Sequence, residues 1–322
     1  RNTHTNDTLS TREHLVRLPQ IVFPEPLVHF AVHATSRDAE EKLQAGLHRL
    51  HDEDPTFTVV YHPETHETVV GGMGERHLEL AMARLKRKHG VGGELTRPTI
   101  AYRETITAGA EGQGRHKKQT GGKGQFGDCW IRLAPLPRGE GYLFADAIVG
   151  GAIPSKFVPA VDRGVQEAAA RGVLAGFPLV DFRVELYDGS THSVDSSEQA
   201  FRMAGILAFR AVATKCRPVL LEPLDFLEIT TPDRYLGDVM GDLSGRRGQI
   251  LGTDSEGDGR TRVRAVVPQA ELHLYATTLH SLSHGHATYA RRFQSYEQVP
   301  HEAAQRVVAE FAKRREEALA EV

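Results

Sequence analysis

Pro178-Leu-Val-Asp-Phe-Arg-Val-Glu-Leu-Tyr-Asp-Gly-Ser-Thr-His-Ser-Val-Asp-Ser-Ser-Glu198 decides how the middle of this sequence is read. Val180, Phe182, Val184 and Leu186 alternate with polar positions, the period of a strand with one buried face. Asp188-Gly189 then reads as a turn, because Gly takes a positive φ without steric cost. Asp195-x-x-Glu198 and Ser196-x-x-Gln199 are overlapping capping boxes, so a helix is predicted to begin there. His192 is thereby placed on a short loop between a strand and a capped helix, a geometry that projects one side chain outward. The helix, running to about Lys215, carries Phe201, Ala204, Leu207, Ala208 and Val212 on a broad apolar face, so it lies against a sheet.

Toward the N-terminus, Pro154 to Arg171 reads as a second helix with Phe157, Val161, Val165 and Ala169 at helical spacing. Tyr142–Val149, Asp128–Leu136 and Thr99–Thr107 read as strands. Between the last two lies a Gly-rich polar segment, Ala108 to Gly127. Within it Arg115-His-Lys-Lys-Gln-Thr-Gly-Gly-Lys123 holds four fixed cations and no acid. Lys and Arg neutralise phosphates, and Gly lets the backbone approach a strand of RNA; the bland reading is a solvated mobile loop. Four such contacts to single-stranded RNA would give a log–log salt slope of about −3.

The flanking blocks share another pattern. Leu27–Ala34, a helix from Ser36 to about His51, Phe57–Tyr61, Thr68–Met73, a helix Gly74–His89 and a strand within Val91–Ile100 make the order β-α-β-β-α-β of a ferredoxin-like unit. Arg84-Lys-Arg-Lys88 at the end of its second helix suits the helix dipole and reads as capping. After Pro218 the order recurs in Leu220–Thr230, Pro232–Leu243, Gln249–Thr253, Arg262–Val267, Glu271–Ser281 and Ala287–Phe293. A terminal helix, Glu302–Glu321, follows, with Glu310 and Arg314 at i,i+4. The predicted class is α+β: two ferredoxin-like domains, 23–97 and 218–300, flanking an α/β domain, 98–217, with loops at 115–127 and 187–196. The restricted residues before Pro98 and Pro218 favour extended linkers between them.

Composition bounds the function. The 322 residues suit two or three domains, and 40% hydrophobic with 25% charged residues is ordinary globular usage. A net charge of −3 excludes a chain that is basic overall, so any nucleic-acid site is a local patch. Cys129 and Cys216 form no CxxC pair, which argues for a reducing compartment and against a disulfide framework. No apolar run approaches the ~18 residues of a membrane span. The sequence begins without Met, in what reads as a strand end, and is expected to be a piece of something longer.

Several chemistries fail on context. Gly122-x-Gly124-x-x-Gly127 leads into a strand, whereas a dinucleotide fingerprint opens a helix. Gly122-Lys123 lacks the following Ser or Thr and the leading Gly of a P-loop. His280, His284 and His286 have no nearby Cys and read as exposed loop residues, so no metal site is predicted. A hydrolase would combine His192 with Asp195 and Ser197 or Ser190, but Asp195, Ser196 and Ser197 are already accounted for as caps.

The motifs then extend nearly end to end. Phe23-Pro-Glu-Pro26, Gly72-Met-Gly-Glu-Arg-His-Leu-Glu79, Lys118-Gln-Thr-Gly-Gly-Lys-Gly-Gln-Phe-Gly127, Val149-Gly-Gly-Ala-Ile-Pro154 and Leu174-Ala-Gly-Phe-Pro178 are joined by Pro218-Val-Leu-Leu-Glu-Pro223, Gly237-Asp-Val-Met-Gly-Asp-Leu243 and Arg246-Arg-Gly-Gln-Ile-Leu-Gly252. Together they resemble bacterial elongation factor G, the ribosomal translocase GTPase. The resemblance implies that residues 1–22 end the β-barrel second domain and lead into domain three. Domains four and five and the C-terminal helix 301–322 would follow. It also implies a left-handed βαβ crossover in domain four, against the usual rule.

By the same resemblance the middle domain reaches the small-subunit decoding site, engaging transfer RNA and messenger. Its RNA-binding tip would be Lys117, Lys118, Gln119, Thr120, Gly121, Gly122 and Lys123 in one loop and Ser190, Thr191 and His192 in the other. His192 would recognise RNA without acid–base catalysis. Arg246 and Arg247 would face large-subunit rRNA or, on the bland reading, form turn surface. No cofactor is expected within these residues; GTP and Mg²⁺ would belong to the absent GTPase domain. A cytoplasmic monomer is implied. His273-Leu274 before Tyr275-Ala276, the run Leu279-His-Ser-Leu-Ser-His-Gly-His286, Thr191 and Thr120 depart from the usual family pattern. They suggest a divergent paralogue, for which ribosome recycling or regulation without translocation is the alternative.

Overall fold

The computed structural model describes residues 3, 5–36, 39–119 and 124–320, with side chains to residue 313. Two compact units form, residues 1–101 with 224–294 and residues 102–223 with 295–322.

The first sheet is built as the periodicity predicts. β1 (Val28–Ala34) is followed by α1 (Glu40–Glu53), whose Leu43, Gly46, Leu47 and Leu50 form one buried stripe. β2 (Thr58–His62) and β3 (Glu67–Gly72) make a hairpin, and α2 (Glu75–His89) buries Leu78, Ala81 and Leu85. Gly90 ends α2 in the left-handed region at φ 66, a favoured C-terminal cap. β4 (Gly93–Thr96) completes the antiparallel order β2-β3-β1-β4, the ferredoxin-like arrangement.

The middle elements are β5 (Arg103–Ile106), β6 (Ala110–Lys118), β7 (Gln125–Pro135), β8 (Tyr142–Asp146), α3 (Val158–Ala169), β9 (Phe182–Ser190) and α4 (Glu198–Ala213). Four of the strands form a sheet ordered β6-β7-β9-β8, and β8-α3-β9 is a crossover between parallel neighbours. Both helices contribute to the core on this sheet, which holds Ile131, Leu133, Val184 and Leu186 from the strands. Phe157 and Phe201 stack across it at 4.8 Å.

Three predictions for this region are corrected. The strand expected over Thr99–Thr107 shrinks to β5 and pairs with Pro218–Leu221 instead of β6. The Thr99 N–H is taken by the Glu67 carboxylate at 2.9 Å, and Pro98 has none to give. The polar loop Ala108–Gly127 is mostly a β-hairpin, with Arg115 opposite Asp128 and Lys117 opposite Phe126. Asp188-Gly189 is not a turn either: β9 runs on to Ser190, and a bulge beside Trp130 absorbs the extra Tyr187.

β10 (Pro218–Pro232), α5 (Leu236–Gly245), β11 (Gln249–Gly257), β12 (Arg260–Pro268), α6 (Tyr275–Leu282) and β13 (Thr288–Gln298) repeat the ferredoxin-like order as β11-β12-β10-β13. α6 starts later than the predicted Glu271, because Gln269–Glu271 is a 3-10 turn and Leu274 sits at φ 56. α7 (His301–Ala320) closes the chain. Its Phe311 packs on Phe177, with ring centroids 4.6 Å apart. Among the described residues no helix is long and apolar enough to cross a membrane.

Candidate nucleic-acid interface

The site forms where the β6–β7 hairpin and the loop after β9 meet. β6 has almost no apolar residues, yet it is held firmly because α4 lies directly on it. A side chain on Gly114 would meet the Ala204 carbonyl and the Ala208 nitrogen at 2.2 Å; one on Gly127 would meet the Ala200 carbonyl at 2.4 Å. These glycines therefore serve helix packing, which accounts for them without an RNA strand. The cations alternate with them in space. Arg115 and Lys117 point to the sheet face away from α4, and both are exposed, as are Lys118 and Gln119. Thr120, Gly121, Gly122 and Lys123 lie outside the described residues.

In the second loop Ser190, Thr191 and His192 are all exposed. Nδ1 of His192 accepts from the Asp195 N–H at 3.1 Å and the Val194 N–H at 3.4 Å. That role places the neutral ring's proton on Nε2, leaving an outward donor for phosphate, sugar or base. Phe126 lies beside it, with ring centroids 6.3 Å apart, and the Arg115 guanidinium stands 5.5 Å from the Phe126 centroid. Arg115, Phe126 and His192 thus form a cation–aromatic–imidazole row, the composition of surfaces that stack unpaired bases.

The helix cap is Ser197, whose Oγ accepts from the Ala200 N–H at 3.2 Å; neither Asp195 nor Ser196 fills that role. Ser190 Oγ donates to Asp128 at 2.7 Å. Both serines considered for a hydrolase are therefore committed elsewhere. Burial pushes the Cys129 thiol up to about 12, and burial raises that of Cys216, so neither offers a thiolate at neutral pH. Among the described residues no group of three His, Cys, Asp or Glu is placed to hold a metal, and His280, His284 and His286 are exposed.

Arg246 and Arg247 belong to the turn after α5. Arg246 donates to Asp242 at 2.8 Å, the Glu271 carbonyl at 2.6 Å and Thr278 at 3.2 Å. It spans α5 and α6 as a strut. Arg247 takes φ 60 and donates to the Glu271 carboxylate at 3.0 Å.

A cavity of about 390 Å³, which the sequence does not announce, is lined by His29, Arg97, His273 and Arg291 among others. Burial, then Arg291 and His62, lowers the His29 pKa to about 4. Its Nδ1 faces the Arg291 guanidinium at 3.1 Å, which suits a neutral ring.

Comparison with known proteins agrees with this architecture. Family models for elongation factor G match in chain order: domain III over residues 23–97, domain IV over 98–217 and the C-terminus over 219–307. An elongation factor G-like protein of Thermotoga maritima is 47% identical over 310 residues, covering 96% of this chain and 45% of that protein. A Thermus thermophilus protein of known crystal structure superposes with a TM-score of 0.82 at 45% identity, over 92% of this chain and 44% of the other. The chain thus spans less than half the length of these relatives. Three consecutive domain matches and a shared fold at this identity mean that the chain belongs to the elongation factor G family, of which it contains domains III, IV and the C-terminal domain.

Proposed function

We propose that this chain is the ribosome- and RNA-engaging part of a translational GTPase that promotes movement of transfer RNA and messenger. GTP and Mg²⁺ are held, on this reading, by a domain outside residues 1–322. The observation that carries the proposal is the tip, where exposed cations on a hairpin packed against α4 adjoin an imidazole with an outward Nε2–H. Lys117 and Lys118 neutralise backbone phosphate, and His192 donates to RNA without taking part in bond making. The protein acts as a cytoplasmic monomer at the decoding site of the small subunit.

Salt dependence tests the tip. Each phosphate contact to single-stranded RNA adds about 0.7 to the log–log slope. Replacing Lys117 and Lys118 by alanine is expected to flatten the slope of ribosome binding by about 1.4 while leaving the fold intact. An unaltered slope would remove the lysines from the contact.

A second reading, a recycling or regulatory factor that binds ribosomes without moving transfer RNA, is favoured by the departures in the last domain. His273 replaces the aromatic-glycine pattern usual there and packs edge-on against Phe30 at 5.4 Å, while Leu274 takes the left-handed conformation that glycine favours.

A further inference from the structure

An acid at the centre of a cationic tip is unexpected, because a carboxylate repels the phosphates its neighbours attract. Asp195 is such a residue, and it is not the helix cap. All of its polar groups are directed at the two loops. Its carboxylate Oδ1 accepts from the Gly124 N–H at 3.0 Å, and its carbonyl accepts from the Phe126 N–H at 2.9 Å. Its own N–H donates to His192 Nδ1. One residue therefore holds the end of the hairpin loop, the start of β7 and the imidazole.

Ser196 repeats the link. Its Oγ donates to the Phe126 carbonyl at 3.0 Å and accepts from the His192 N–H at 2.9 Å, and Phe126 and Ser196 form a parallel bridge. The fit is close: a side chain on Gly124 would lie 2.9 Å from the Asp195 carboxylate. Asp195 is only 23% exposed at its side chain, against 53% for His192.

We infer that Asp195 is a positioning residue that fastens the two tip loops into a single RNA-contacting surface, setting the His192 ring against the Arg115–Phe126 pair. This rests on the reading of the tip as an RNA site. Gly124, Phe126 and His192 are held by Asp195 in one arrangement before RNA arrives. Preorganisation of this kind tightens binding by removing the ordering cost.

The test separates positioning from charge. If Asp195 were only an unwanted acid, Asp195→Ala would leave ribosome binding by the 322-residue chain unchanged or tighten it. Positioning predicts the opposite: Asp195→Ala weakens binding about tenfold, the worth of one charge-assisted hydrogen bond. Asp195→Asn keeps an acceptor for Gly124 and stays within about threefold of wild type. His192→Ala added to Asp195→Ala then costs little more, since the ring has already lost its seat. Binding by Asp195→Ala equal to wild type, or Asp195→Asn as weak as alanine, would overturn the inference.

Amide hydrogen exchange at Gly124 and Phe126 gives a readout independent of RNA. The inference requires both amides to be protected in wild type and to exchange at least about tenfold faster in Asp195→Ala. Wild type that shows this protection yet binds no ribosomes would sink the RNA reading and leave the brace standing. Unprotected amides in wild type would sink the brace itself.

Discussion

Glu104→Ala is expected to cost about 3–5 kcal/mol, enough to unfold much of the population of a marginally stable domain. Glu104 is fully buried at the centre of β5. Its carboxylate accepts from five consecutive backbone N–H groups: Val173, Leu174 at 2.9 Å, Ala175 at 2.8 Å, Gly176 at 3.1 Å and Phe177 at 3.2 Å. The loop is wrapped around the side chain as an anion nest. Alanine would leave these donors without their acceptor and open a cavity, and each unsatisfied buried group costs about 1–3 kcal/mol before relaxation. The damage would spread, because Phe177 at the end of the nest packs on Tyr102 and on Phe311 of α7. Denaturant unfolding measures it. Glu104→Gln, which puts an NH₂ among the N–H donors, should fall between alanine and wild type. A loss below about 1 kcal/mol for alanine would mean that the nest is not what orders this loop.

Gly114→Ala should be nearly as severe, at about 3 kcal/mol, although alanine is the smallest possible addition. The new Cβ would collide with two backbone atoms of α4, and backbone cannot rotate aside as a side chain can. The helix would have to lift off β6 and take the hairpin's support with it. Gly241 is the internal control. It lies in α5 with nothing within 4 Å of the place a methyl group would occupy, so Gly241→Ala should be neutral or stabilising by up to about 1 kcal/mol. Equal effects of the two substitutions would show that α4 does not lie within contact distance of Gly114.

These two sites also show what the sequence could and could not disclose. The flanking domains were legible because their buried faces are apolar at regular spacing, as in Leu43, Leu47 and Leu50 or Val263, Ala265 and Val267. β6 was not, since its inward positions Gly112 and Gly114 carry no side chain to make a pattern; α4 occupies that space. Gly189 misled in the same way. It signals a turn in isolation, yet it sits in β9 because a side chain there would meet the Asp128 carbonyl and Ile153.

His192 and the exposed lysines could be placed from the family resemblance, whereas the work of Asp195 could not, because Asp195-x-x-Glu198 looks like a cap. Phe126 did carry a signal. It is out of phase with Cys129, Ile131 and Leu133, so along one strand it must face away from the core.

The most direct test of the central claim is single-round translocation on pre-translocation ribosomes, with this chain joined to the GTPase portion proposed for it. Movement of messenger by one codon is expected at saturating protein, slowed about tenfold or more by His192→Ala. Ribosome-stimulated GTP hydrolysis without movement, or movement at the wild-type rate in His192→Ala, would contradict it.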